Sequence, residues 1–356
     1  MATVAPATAT AVARLSAKEK VDRLAKLFRG RQRALILTHD NPDPDSMASA
    51  VALAAVLQKK AGVPSEVAFG GIVGRAENSA FMKVLRLPMR PMSEMHVEDF
   101  DLFGLVDTQQ DVGNHALPAD IRADIVIDHH PVRDETTVNP FADVGGSYGA
   151  TSTLLTEYVR AARLKPTPEL ATALYYGIKA DTRDLERQTR DHDVDCYLWL
   201  LPQIDRELLA EIEHPTLPLR YFKLYHGALE KARLFPGAVM TDLGEVYTPD
   251  MVAEVAERLS FLEDVTWSLA YGSFRSQLYM SLRVGDRRMN AGRLIREVCA
   301  DLGGSAGGHG SMAGARLPLS GTRAQRTTLK REVVRRFKAA FGVESERGVS
   351  LLSDEV

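Results

Sequence analysis

The chain has 356 residues, more than one domain usually holds, so two domains, each large enough to bury its own core, are the expectation. Lys and Arg number 44 against 47 Asp and Glu, a formal net charge of -3, which argues against a protein that coats long nucleic acid by bulk charge; an anionic substrate must be caught locally. The two cysteines, Cys196 and Cys299, stand apart from each other and from any CxxC spacing, which argues against a disulfide framework or a cysteine zinc site and favours a reducing compartment.

Residues 1–15, rich in Ala and Thr, lack a charged segment followed by a long apolar run, and read as a disordered tail rather than a secretory signal. No stretch approaches the roughly 20 apolar residues needed to span a bilayer, so a cytoplasmic location is expected. Ser16 with Glu19 forms a capping-box pattern, and Val21, Leu24, Leu27 and Phe28 then recur at helical spacing up to Gly30. Residues 33–38 read as a short buried strand and 46–60 as an Ala-rich helix. The same strand, polar loop and helix unit is expected to recur, with strands at 103–106 and 125–127 and helical patterns at 150–163 and 169–180. This alternation predicts an α/β class: an N-terminal, largely parallel sheet flanked by helices, with ligands at the carboxyl ends of its strands. Pro202, Pro215 and Pro218 loosen the pattern, which places a catalytic domain at 16–203, a linker at 204–220, a smaller C-terminal α/β domain at 221–345 and a tail at 346–356. In the second domain the pattern predicts strands at 237–243, 265–271 and 277–284 and helices at 249–262, 290–302 and 322–341. A glycine-rich turn is expected at 303–309.

The segment Thr38-His39-Asp40-Asn41-Pro42-Asp43-Pro44-Asp45-Ser46 follows a strand and concentrates one imidazole and several carboxylates. Its prolines stiffen it, so that Asp43 and Asp45, two apart on a near-extended chain, can share one pocket. The alternative is a solvated Asp-Pro turn that caps the following helix. A second apolar strand ends in Asp128-His129-His130, where a divalent cation would stabilise deprotonated His129 and the Asp128 carboxylate could orient its ring. Asp107 closes the strand at 103–106, and Asp181 follows an apolar helix end.

The ordered set His39-x-x-x-Asp43-x-Asp45, Asp107, Asp128-His129-His130 and Asp181-Thr182 resembles the DHH phosphoesterase superfamily. The second half resembles the DHH-associated C-terminal domain through Ser281-Leu282-Arg283, Asn290 and Gly307-Gly308-His309. The resemblance implies an active site in an interdomain cleft. It also implies that His39 and Asp43 hold one cation, that Asp45, His129 and Asp181 hold the other, and that Asp107 bridges them. Four carboxylates with two imidazoles suit manganese, with magnesium or cobalt as substitutes. The catalytic pair is then His130 with Asp128. Arg283, Asn290, Gly307, Gly308 and His309 become the expected substrate-binding residues, Arg283 as a planar fork and the glycine turn as an anion nest.

The members that pair these domains act on short oligonucleotides as oligoribonucleases or exonucleases, or on cyclic or linear dinucleotides. The expected activity is therefore two-metal hydrolysis of phosphodiester bonds in such substrates. Hydrolysis of 3'-phosphoadenosine 5'-phosphate, or non-hydrolytic nucleotide sensing, is the alternative. Neither long duplex nucleic acid nor a membrane is an expected partner, and the resemblance makes a homodimer plausible.

Overall fold

The computed structural model describes residues 12–133, 136, 138–286, 289–343 and 347–353. The chain divides into two compact units, Met1–Pro215 and Thr216–Val356, each with its own core.

In the first unit, α1 (Ala17–Phe28) starts at the expected capping box. It leads to β1 (Ala34–Leu37), α2 (Pro44–Ala61), β2 (Ser65–Phe69), α3 (Ala76–Val84), β3 (Met89–Pro91), β4 (Leu102–Val106), β5 (Ile125–Asp128) and β6 (Phe141–Val144). The helices α4 (Thr151–Ala161), α5 (Pro168–Thr182), α6 (Asp191–Leu200) and α7 (Arg206–Glu213) follow. All six strands are parallel, in the order β3-β2-β1-β4-β5-β6. The chain builds outward from β1 in one direction and from β4 in the other. The carboxyl ends of β1 and β4 therefore flank a topological switch point, where an open parallel sheet leaves a crevice.

Alternate strand residues face opposite sides. Ile36, Val67, Val106, Ile125 and Ile127 pack against the helices, whereas Leu35, Leu37, Leu105 and Val126 pack against irregular segments that include Leu117 and Ala123. Here the structure departs from the expected repeat. Among the described residues no α-helix follows β4 or β5 before the next strand. The sequence from 107 to 124 has no helical apolar period and is broken by Gly113 and Pro118, so nothing drives a helix there.

Other differences are local. Residues 1–11 of the expected tail lie outside the described residues, but Val12 is buried in the helical core. The stretch read as linker contains α7, whose partly buried Leu208 and Leu209 pack on the first unit's core.

The second unit holds α8 (Leu219–Lys231), β7 (Arg233–Phe235), β8 (Ala238–Glu245), α9 (Asp250–Leu259), β9 (Trp267–Phe274), β10 (Gln277–Val284), α10 (Ala291–Cys299), β11 (Ser305–His309), β12 (Met312–Pro318), α11 (Arg323–Ala340) and β13 (Val349–Ser350). Its seven strands run β11-β12-β10-β9-β8-β7-β13 and are antiparallel except for the β8–β9 pair. Leu278, Met280 and Leu282 of β10 face α10 and α11, while Val239 and Ala270 face α8 and α9. The 346–356 stretch expected as a tail contributes β13, which pairs with β7.

Candidate metal centre

Three strand ends of the first unit bring the predicted donors together. His39 lies just beyond β1, Asp107 follows β4, and Asp128 ends β5 with His129 and His130 after it. Of the two readings of the Asp-Pro segment, the helix cap is present, though Asp45 is buried rather than solvated. Asp43 is the N-cap of α2, its Oδ1 accepting from the Ser46 N–H at 3.0 Å, and the same Oδ1 lies 3.5 Å from His39 Nε2. Because α2 begins at Pro44, Asp45 stands in the first helical turn rather than on extended chain. Asp181 sits in the last turn of α5.

The donor atoms fall into three overlapping groups, each within 4.8 Å: His39, Asp43 and Asp107; Asp45, His129 and Asp181; and Asp107, Asp128, His129 and His130. Asp107 also joins the second side, its Oδ1 standing 3.7 Å from His129 Nε2 while its Oδ2 is 3.5 Å from His39 Nε2. His129 Nε2 is 3.3 Å from Asp181 Oδ2. Asp107 is buried and held at φ 59°, a left-handed conformation costly for a residue other than glycine and one that clusters at functional sites.

The imidazoles are oriented by main-chain oxygens. His39 Nδ1 donates to the Asp40 carbonyl at 3.0 Å, and His129 Nδ1 to the Tyr148 carbonyl at 3.4 Å. In each ring Nε2 is thereby turned toward carboxylates as the ligating atom of a neutral imidazole. Burial alone would lower the His39 value, but the Asp43 and Asp107 carboxylates outweigh it and hold it well above the ordinary imidazole range. Burial and the neighbouring acids Asp107, Asp181 and Asp43 push Asp45 well up. Burial, with Asp43 and Asp107 nearby, pushes Asp181 up to about 6 against the opposing pull of His129. Divalent cations among these oxygens and imidazole nitrogens would relieve that crowding, and the hard oxygen-rich set with two nitrogens fits manganese or magnesium.

One expected contact is reassigned. Asp128 does not orient His129. Its Oδ1 accepts from His130 Nδ1 at 2.8 Å and from the His130 N–H at 3.2 Å, because the chain turns straight after β5 and folds the second imidazole back on the acid. Burial would lower the His130 value, but the bond to Asp128 raises it to about 9.

Two residues that sequence reasoning missed complete the centre. Thr151, at the start of α4, donates its hydroxyl to Asp107 Oδ1 at 2.8 Å and accepts from the His129 N–H at 3.3 Å. Its own N–H and that of Ser152 donate to Asp45 at 2.8 and 2.7 Å. Thr151 is the first residue of α4, after the N-cap Ala150, and no pattern in the sequence marks it as a partner of the donors. Gln109 donates to Asp128 Oδ2 at 2.7 Å while its oxygen accepts from the Arg133 N–H at 3.0 Å and the Thr136 hydroxyl at 2.8 Å. No pattern in the sequence marks it.

The residues expected to bind substrate belong to the second unit. Asn290 caps α10, accepting from the Arg293 N–H at 2.9 Å. Arg283 is buried and donates to Ser281 Oγ at 2.7 Å and to the Leu282 carbonyl at 3.2 Å. Of the glycine run read as a turn, Gly303 and Gly304 lie in a bend at positive φ, while 305–309 form the edge strand β11, with Gly307 opposite Gly314 and Gly308 opposite Ala313. Gly308 is needed for packing: at φ 147° a Cβ there would stand 2.5 Å from Ala313 Cα. The side chain of His309 lies outside the described residues.

Residues 33–178 match the model of the DHH family, N-terminal domain, and residues 236–339 match that of the DHHA1 domain. The chain belongs to the DHH phosphoesterase superfamily. This DHH protein is 32% identical over 287 residues to an uncharacterised protein of Methanocaldococcus jannaschii; the match covers 80% of the chain and 58% of that relative's length. Among solved structures, an exopolyphosphatase-related protein from Bacteroides fragilis superposes with a TM-score of 0.70 at 15% identity, covering 92% of this chain and 99% of that one. RecJ from Thermus thermophilus, in complex with Mn2+, superposes with a TM-score of 0.53 at 17% identity, covering 91% of this chain and 55% of RecJ. At these identities the structural likeness is one of fold.

Proposed function

We propose that this DHH protein hydrolyses phosphodiester bonds in short oligonucleotides or in cyclic or linear dinucleotides, with two divalent cations, manganese by preference. The observation that carries the reading is that Asp107 stands between His39 with Asp43 on one side and His129 with Asp181 and Asp45 on the other. His39, Asp43 and Asp107 would hold one cation; Asp45, His129, Asp181 and Asp107 would hold the other. When bound, such a pair lowers the pKa of an attacking water and offsets charge on the phosphate.

The protein's own groups do the rest. Thr151 fixes Asp107 and Asp45 together, so the donors keep their spacing without reorganisation. Asp128, itself held by Gln109, engages His130 Nδ1 and turns Nε2 outward, where it can bond the phosphate or pass a proton to the departing oxygen. The cleft at the strand ends, about 600 Å³, is of the size of a small-molecule site.

Initial rates on pApA, cyclic di-AMP and 3'-phosphoadenosine 5'-phosphate with manganese present test the proposal. Turnover of the dinucleotides that disappears in Asp107→Ala supports it. Tight nucleotide binding with no turnover in manganese, magnesium or cobalt would mean a sensor instead.

A further inference from the structure

The segment from Tyr148 to Ser152 holds the second cation's donors from behind. The Tyr148 carbonyl accepts from His129 Nδ1, and the Thr151 hydroxyl accepts from the His129 N–H and donates to Asp107 Oδ1. The N–H groups of Thr151 and Ser152 meet the two oxygens of Asp45 at 2.8 and 2.7 Å. His39 and Asp43 are fixed otherwise, by the Asp40 carbonyl and by the cap of α2. A shift of residues 148–152 therefore disturbs the second set of donors and leaves His39 and Asp43 in place.

The segment is itself held by a carboxylate far along the chain. Asp193, in the first turn of α6, is fully buried. Its Oδ1 and Oδ2 both accept from the Gly149 N–H, at 3.0 and 2.9 Å. Oδ1 also accepts from the Thr153 hydroxyl at 2.5 Å, and Oδ2 from the Arg190 N–H at 2.7 Å. These neutral donors offset the cost of burying a carboxylate. An acid in the first turn of a helix commonly serves its own helix. Here only the Arg190 N–H belongs to the start of α6, whereas Gly149 and Thr153 lie 44 and 40 residues away and bracket the residues that touch Asp45 and Asp107. The approach at Gly149 is close: an added Cβ would stand 2.7 Å from Asp193 Oδ2 and 2.9 Å from Cγ2 of Thr182, the neighbour of Asp181. Glycine lets the segment lie between the acid and the end of α5.

We propose that Asp193 is a positioning residue for the second cation, holding residues 148–152 where they aim Asp45 and His129. The proposal rests on the two-cation reading of the centre and adds to it a residue that touches neither cation nor substrate.

Manganese titration calorimetry on the full chain tests it, with the fold followed by circular dichroism. The ligand variants Asp43→Ala and Asp181→Ala assign the binding steps to the first and the second cation. Asp193→Asn keeps the shape and replaces one accepting oxygen by an amide NH2 that cannot accept. It should weaken the step that Asp181→Ala removes by roughly 10-fold or more and leave the other within about threefold. Thr153→Val, a milder change, should weaken the same step by less. Where Asp193→Asn does not fold, Thr153→Val decides, and no loss at that step overturns the role. Unchanged affinity at both steps in Asp193→Asn, or equal weakening of both, also overturns it and leaves the two-cation reading standing. A wild-type chain with no binding step sinks that reading and the role of Asp193 with it.

Discussion

At the scale of single residues, the centre depends on side chains that touch no substrate. Thr151 alone bonds Asp107, His129 and Asp45, so removing its hydroxyl frees Asp107 to rotate. Thr151→Val keeps the volume and should weaken manganese binding by roughly 10- to 100-fold, measured by titration calorimetry, with little change in fold by circular dichroism. Unchanged affinity would show that Asp107 is held by its backbone alone. A pH effect follows from the raised carboxyl groups of the metal-free protein. Asp181 is pushed up to about 6 and Asp45 also upward, so the folded state binds more protons than the unfolded chain between about pH 4 and 6, and metal-free stability falls as pH rises through that window. Cations bind the deprotonated donors, so the rise in melting temperature on adding manganese should be larger at pH 7.5 than at pH 5. An equal rise at both would mean that these carboxyls are not the ligands.

At the scale of elements, α1 is tied to the edge of the parallel sheet by a buried ion pair. Lys20 Nζ lies 2.9 Å from Asp143 Oδ2 on β6, both almost fully buried, and the Tyr158 hydroxyl donates to the same oxygen at 2.7 Å. Lys20→Met should cost about 3 to 5 kcal/mol in denaturant unfolding, because it strands the Asp143 charge, and Lys20→Met with Asp143→Leu should recover part of it. A single substitution as mild as the double would show that Asp143 is neutral in the fold.

The same helix shows how far the sequence was legible. Its capping box and its apolar period were explicit and set its start. The strands carrying the donors were likewise plain as apolar runs ending in acids. By contrast, β2, β3 and β6 carry mixed residues, and their pairing comes from neighbours far along the chain. The reach of Gln109 to Asp128 spans 19 residues and depends on two loops without periodicity, so no local pattern encodes it. The glycines at 307 and 308 were visible, but glycine serves a tight turn and a close strand equally, and only the position of Ala313 decides between them.

At the scale of the whole molecule, all six proposed metal ligands lie in the unit Met1–Pro215, and the second unit has its own core. Calorimetric unfolding of the full chain should therefore show two transitions, of which manganese raises one and leaves the other in place. A single transition, or equal shifts in both, would mean that the units unfold as one. No helix among the described residues is long and apolar enough to cross a membrane.

The most direct test is the number of manganese ions retained per folded chain, by titration and elemental analysis, in the wild type and in Asp107→Ala. Two ions in the wild type, with tight binding at both positions lost in the variant, are the predicted result. A wild-type chain that retains none, or a variant that holds both as tightly as before, would contradict a centre bridged by Asp107.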